Sequence, residues 1–188
     1  SHITDGLFKL NPFQEDSAFN KSMFSDESWY YCQTNFEASP LSRTLETVAP
    51  GNNWVGTSGQ SSESNRHSIK IKYWSNTSTD SVIIWNVTDV TNSFGTYDTS
   101  GMYGSGQLFK NVTVDEQGNQ VIEFKDKEGK VILKKVQLTA AADTGTGKGP
   151  TGWLNTYYIY DDLNNLRCVV QPKGVELLMA NSWSFNST

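Results

Sequence analysis

One short pattern recurs in the second half of this 188-residue chain and constrains its fold more than any other feature. Asp115 stands three residues before Gly118, Asp126 three before Gly129, and Asp161 three before Asn164. Val, Ile, Phe, Tyr and Thr flank each copy. An Asp carboxylate at the first turn position accepts backbone N–H groups two residues on. Gly or Asn at the fourth position accepts positive φ and closes a type I turn with a bulge. Each copy therefore predicts a tight antiparallel hairpin. A fourth copy is read at Tyr97, Asp98 and Gly101. The first two copies leave room for one shared strand. A three-stranded meander is expected over 109–114, 120–125 and 130–137, and a further hairpin over 157–161 and 166–171. Val131, Leu133, Ile159 and Leu166 are expected on one buried face.

The rest of the chain also reads as short strands between turn signals. Residues 68–74 alternate strictly, with Ile69, Ile71 and Tyr73 in phase. Residues 81–87 form a more buried strand, and the polar string 75–80 between the two reads as a hairpin loop. Residues 36–48 read as strand, turn around Pro40, strand. A helix over 40–48, with Ser39 as N-cap and Pro40 at N1, is the rival. Helical spacing is scarce: 15–24 could form a short helix, and 174–183 carries Val175, Leu178 and Met179 at helical intervals. Two Gly-rich stretches, 50–59 and 143–152, read as loops.

Composition excludes several classes. Charged residues make up 19% and the net charge is −5, which argues against nucleic-acid binding, because that needs clustered Lys and Arg to displace counterions. No apolar run reaches the roughly 20 residues of a membrane helix. Residues 1–10 lack a basic stretch followed by an apolar one, so no signal peptide is read there. Polarity comes from Ser, Thr, Asn and Gly rather than charge, which leans toward β structure and toward a secreted or surface protein.

The Tyr-Asp hairpin followed by a strand and Pro resembles the YD repeat, also called the RHS repeat. Tyr160, Asp161, Asn164 and Leu166 through Pro172 look like one copy, with Asn164 at the usual Gly. Phe124, Asp126, Gly129 and Val131 look like another, with Phe and an inserted Lys where Tyr stands. From about residue 24 onward the chain is similar to an uncharacterised domain near the start of large bacterial RHS-repeat proteins. The phrases SPLSRTLETVAPGNNW (39–54), IEFKDKEGKVILKKVQL (122–138) and GWLNTYYIYDDLNNLRCVVQPKGVELL (152–178) carry this. The stretch 61–105 has no clear repeat register. The resemblance implies an exported or surface-attached protein whose repeats coil β-sheets into a shell, in some members around a toxin.

Reactive chemistry is sparse. His2 and His67 are the only histidines, and His67 sits in a polar loop. Cys32 and Cys168 lack neighbours at metal-ligand spacing; they are read as free buried thiols or as one bridge. The run Gly145 to Gly149 lacks the spacing of a phosphate loop. Asp161 and Asp162 could serve as a carboxylate pair, but adjacent strand residues face opposite ways, so turn capping is the plainer reading. A hydrolase using Asp161 or Glu123 is the remotest class. Trp29, Trp54, Trp74, Trp85, Trp153 and Trp183 serve either packing or sugar stacking.

The sequence thus predicts a mostly β fold of YD-type antiparallel hairpins and meanders, with one short helix near the C-terminus. A lead-in over 1–35 precedes a β domain over 36–188, with a sub-boundary near 105. The expected function is structural and non-enzymatic, without cofactor or metal. The turn residues Asp115, Gly118, Asp126, Gly129, Tyr160, Asp161 and Asn164 carry it. Following repeats are the expected partner, and a free strand edge invites self-association. A carbohydrate- or surface-binding module using exposed Trp and Tyr is the alternative.

Overall fold

Alternation of apolar and polar side chains governs the strands and decides which face of each is buried. A computed structural model describes residues 12–24, 29–55, 66–138 and 147–185. Residues 56–65 and 139–146 lie outside the described residues, and with them parts of the Gly-rich loops expected over 50–59 and 143–152, as does His2. The fold is mostly β, with strands paired antiparallel. The chain gathers into two compact units: residues 1–70 with 115–117, and residues 71–114 with 118–188.

In the first unit, helix α1 (Pro12–Met23) precedes strands β1 (Gln33–Phe36) and β2 (Thr44–Val48) and the short helix α2 (Asn52–Val55). β1 pairs antiparallel with β2, and β2 with the start of β3 (Ser68–Ser75). The turn from 37 to 43 holds Pro40 and is closed by Glu37 N–H donating to the Arg43 carbonyl at 2.9 Å. The strand reading of the segment after Pro40 therefore describes it, and the helix reading does not.

In the second unit the strand order is β3, β6 (Phe109–Val114), β7 (Gln120–Lys125), β8 (Val131–Gln137), β9 (Trp153–Tyr160) and β10 (Leu166–Val170). The expected meander is β6–β8, and β9–β10 is the expected hairpin. Two cross-strand rows share the buried face. One runs Lys110, Phe124, Leu133, Tyr157, Val170, and the other Val112, Ile122, Lys135, Asn155. A separate hairpin of β4 (Ile83–Thr88) and β5 (Thr96–Met102), helix α3 (Pro172–Ala180), and Trp183 and Phe185 pack against that face. Pro172 sits in the first turn of α3, where its missing N–H costs nothing, and Val175 and Leu178 are the buried side of the helix.

Four expectations are corrected. The string 75–80 is not a hairpin loop. It holds a 3-10 turn (Ser78–Asp80), and β3 and β4 do not pair. Buried Asn76 instead clamps the loop before β6, donating to the Gly104 carbonyl and accepting the Leu108 N–H. The copy at Tyr97, Asp98 and Gly101 is no turn: it is strand β5, because pairing of these residues with β4 overrides the local turn chemistry. Val131 is half-buried and Leu166 exposed, not core. Register shifts between Val131 and Leu133 and between Leu166 and Cys168 insert one residue each, and so move both to the opposite face. Finally, the C-terminal helix is not the only one: α1 and α2 precede it.

Candidate functional site

The β7–β8 and β9–β10 turns share one construction. Asp126 Oδ1 accepts the N–H groups of Glu128 and Lys130, both at 2.9 Å. Asp161 Oδ1 likewise accepts those of Leu163 (3.0 Å) and Asn165 (2.8 Å). The Gly129 N–H donates to the Asp126 carbonyl, and the Asn164 N–H to that of Asp161. Gly129 and Asn164 both hold positive φ, +84° and +67°. Beyond its two chain neighbours no residue comes within 4 Å of a Cβ placed on Gly129, so backbone conformation alone calls for glycine there. At the earlier turn Asp115 Oδ1 accepts the Gln117 N–H at 3.0 Å, and Gly118 has φ +86°.

Charged side chains tie the two later turns together. Lys130 Nζ reaches Asp126, Glu128 and the Asn164 Oδ1 of the next hairpin, and lies 5.4 Å from the ring centre of Tyr160. The bond with Glu128, ahead of that with Asp126, raises the Lys130 pKa; burial raises that of Tyr160. Arg167 bridges Asp161 (3.1 Å) and Asp89 (2.7 Å), and its carbonyl accepts the Tyr97 hydroxyl. Hydrogen bonds from Asn165, then from Arg167 and Leu163, hold the Asp161 carboxyl below its usual range. Asp161 is thus spent on the turn, while Asp162 takes no part in it.

β10 ends the sheet: among the described residues it pairs with β9 on one side and with no strand on the other. Leu166 and Val169 are exposed along it. Beside it a groove of about 430 Å3 is lined by Val170, Gly174, Leu177, Leu178, Asn181 and Phe185. Leu177 is 64% exposed, which leaves the outer side of the groove apolar and uncovered.

The six Trp divide. Trp153 is buried, with Lys135 Nζ 5.0 Å from its ring. Trp85 packs edge-on with Tyr157, Trp183 and Phe185, and Trp29 is half-buried. Trp54, in the first unit, and Trp74, in the second, are exposed. Cys32 and Cys168 are free thiols; Cys32 is exposed rather than buried. His67 Nδ1 donates to the Glu116 carbonyl, 3.1 Å away. Glu123 pairs with Lys125 and Lys134. Among the described residues no three His, Cys, Asp or Glu gather to hold a metal, and no helix is long and apolar enough to cross a membrane.

Two buried lysines escaped the sequence reading. Lys110 is in phase with Val112, and Lys135 with Leu133. That phase was the available signal; the assumption that lysine faces solvent masked it.

Residues 1–68 are similar to a domain of unknown function (DUF6443). Of the three phrases that carry the repeat resemblance, the one over 39–54 falls in that stretch. No curated protein and no solved structure matches the chain.

Proposed function

We propose that the chain is a non-enzymatic structural segment of an RHS/YD-repeat shell or surface scaffold in a larger exported bacterial protein. The linked pair of Asp-anchored turns is the observation that carries this reading. Lys130 spans from one hairpin to the Asn164 of the next, so successive hairpins brace each other as a repeat array requires. Among the described residues β10 is the last strand of the array, and a strand edge without a partner offers main-chain donors and acceptors to a further strand. The partner is the following repeat, which would extend the sheet and cover Leu166, Val169 and Leu177.

The same edge gives the test. The isolated chain is expected to self-associate with rising concentration in sedimentation. Val169→Lys, which places a charge on the exposed side of the edge strand, is expected to return it to monomer. A wild-type chain that stays strictly monomeric at high concentration overturns the reading.

A further inference from the structure

Inside the second unit an ammonium and a carboxylate are sealed together. Asp80 ends the 3-10 turn and Lys110 lies near the start of β6. Their side chains are 0% and 4% exposed, with Nζ 2.6 Å from Oδ1. Nζ also lies 5.5 Å from the ring centre of Phe124 and 5.8 Å from that of Trp74. The second carboxylate oxygen, Oδ2, accepts the Thr77 N–H at 2.7 Å and the Thr77 hydroxyl at 3.1 Å. Thr77 Oγ1 is in turn 2.9 Å from Thr79 Oγ1.

Burying two ions costs the hydration of both, and their attraction repays it only in part. Amide formation needs this pair as an amine against a carboxylic acid, a form that one proton passed from Nζ to Oδ1 would supply across the 2.6 Å contact. These are the partners of amide formation, already in contact, so the entropy of bringing them together is spent in folding. Desolvation of the amine makes it a nucleophile. The Thr77 donors point at the oxygen on which charge develops during attack.

We propose that Lys110 and Asp80 form an intramolecular isopeptide bond. The Nζ lone pair attacks Asp80 Cγ, and the carbonyl electron pair moves onto Oδ2, held by Thr77. One Nζ proton passes to the Oδ1 hydroxyl. The Oδ2 pair then reforms the carbonyl, the Cγ–Oδ1 bond breaks, and water leaves. Overall an ammonium and a carboxylate become an amide and water, with no oxidant, reductant or further reactant. The bond joins positions 30 residues apart and closes a loop around the β4–β5 hairpin. It replaces a costly buried ion pair with a neutral group. This cross-link is independent of the scaffold reading and of the β10 edge.

Intact mass spectrometry of the unfolded, reduced full chain tests it. The expected mass is one water below that of the sequence, and digestion should yield a branched peptide holding both Asp80 and Lys110. Lys110→Arg should restore the full mass. Asp80→Asn should give the same final mass as wild type, because ammonia then leaves in place of water; an ion pair cannot produce that coincidence. Thr77→Val should lower the cross-linked fraction at early times. A wild-type chain at its full sequence mass, both fresh and after long incubation, overturns the proposal.

Discussion

The two units bury different things. In the second, Val112, Ile122, Phe124, Leu133, Tyr157 and Ile159 meet in one apolar cluster closed by α3 and the β4–β5 hairpin. In the first, the one hydrophobic side chain buried among the described residues is Val48, and the buried centre is a carboxylate. Glu46 accepts bonds from Ser68 (2.6 Å), Asn35 (2.9 Å) and Arg66 (2.9 Å), drawing β1, β2 and the start of β3 onto one side chain. Apolar burial is non-directional and scales with area, whereas a bonded carboxylate depends on geometry and on its own ionisation. The two units should therefore answer differently to truncation and to acid.

The largest effect is expected from Phe124→Ala, which opens a cavity in the centre of the sheet. It should cost about 3–5 kcal/mol in urea unfolding, and the loss should stay flat as pH falls, since no titrating group is removed. A strong pH dependence of that loss would erase the contrast.

Glu46→Ala comes next. It leaves Ser68, Asn35 and Arg66 facing an empty site, at a cost of about 1–3 kcal/mol. Burial pushes the Glu46 carboxyl up, but the bonds from Ser68, Asn35 and Arg66 together outweigh it and hold it below its ordinary value of 4.5. A carboxyl lowered in the folded state stabilises above its unfolded pKa, and that contribution is lost as pH falls through the folded value. The gap in urea midpoint between wild type and Glu46→Gln should therefore be full at neutral pH and shrink below the ordinary carboxylate range. A gap that widens in acid contradicts the assignment.

The smallest effect lies at the β1–β2 turn. Bonds from Arg43, then from Ser39, lower the Glu37 pKa to about 2. An exposed pair of this kind adds little stability. NMR titration should find the Glu37 midpoint near that value, and Arg43→Ala should move it back toward the ordinary range with little change in melting. An unmoved midpoint would mean that Arg43 is not its partner.

Turn chemistry is local, and at three of the four Asp-containing copies it could be followed from spacing alone. Asp126 and Asp161 meet their own backbone within four residues, so no distant contact is needed. The copy at Asp98 shows the limit. Its residues pair along β4, from Trp85 opposite Thr99 to Thr88 opposite Thr96, and a ladder of cross-strand bonds outweighs one side-chain turn. The bulges had a similar consequence. Period-two counting through Val131 and Leu166 assumes an unbroken ladder, and one extra residue reverses every face before it.

What the sequence determined by itself was therefore the short-range structure: the hairpin turns, the meander from Phe109 to Gln137, the dominance of β structure, and a short helix near the C-terminus, which begins at Pro172 rather than at Gly174. These depend on backbone preferences and on contacts within a few residues. Only the tertiary structure decided that β10 is the last strand of the sheet among the described residues, that β4 and β5 stand as a hairpin of their own, and that Lys110 and Asp80 meet. Each of those requires segments tens of residues apart to come together. Which distant partner wins is set by the packing of the whole unit, not by any local pattern.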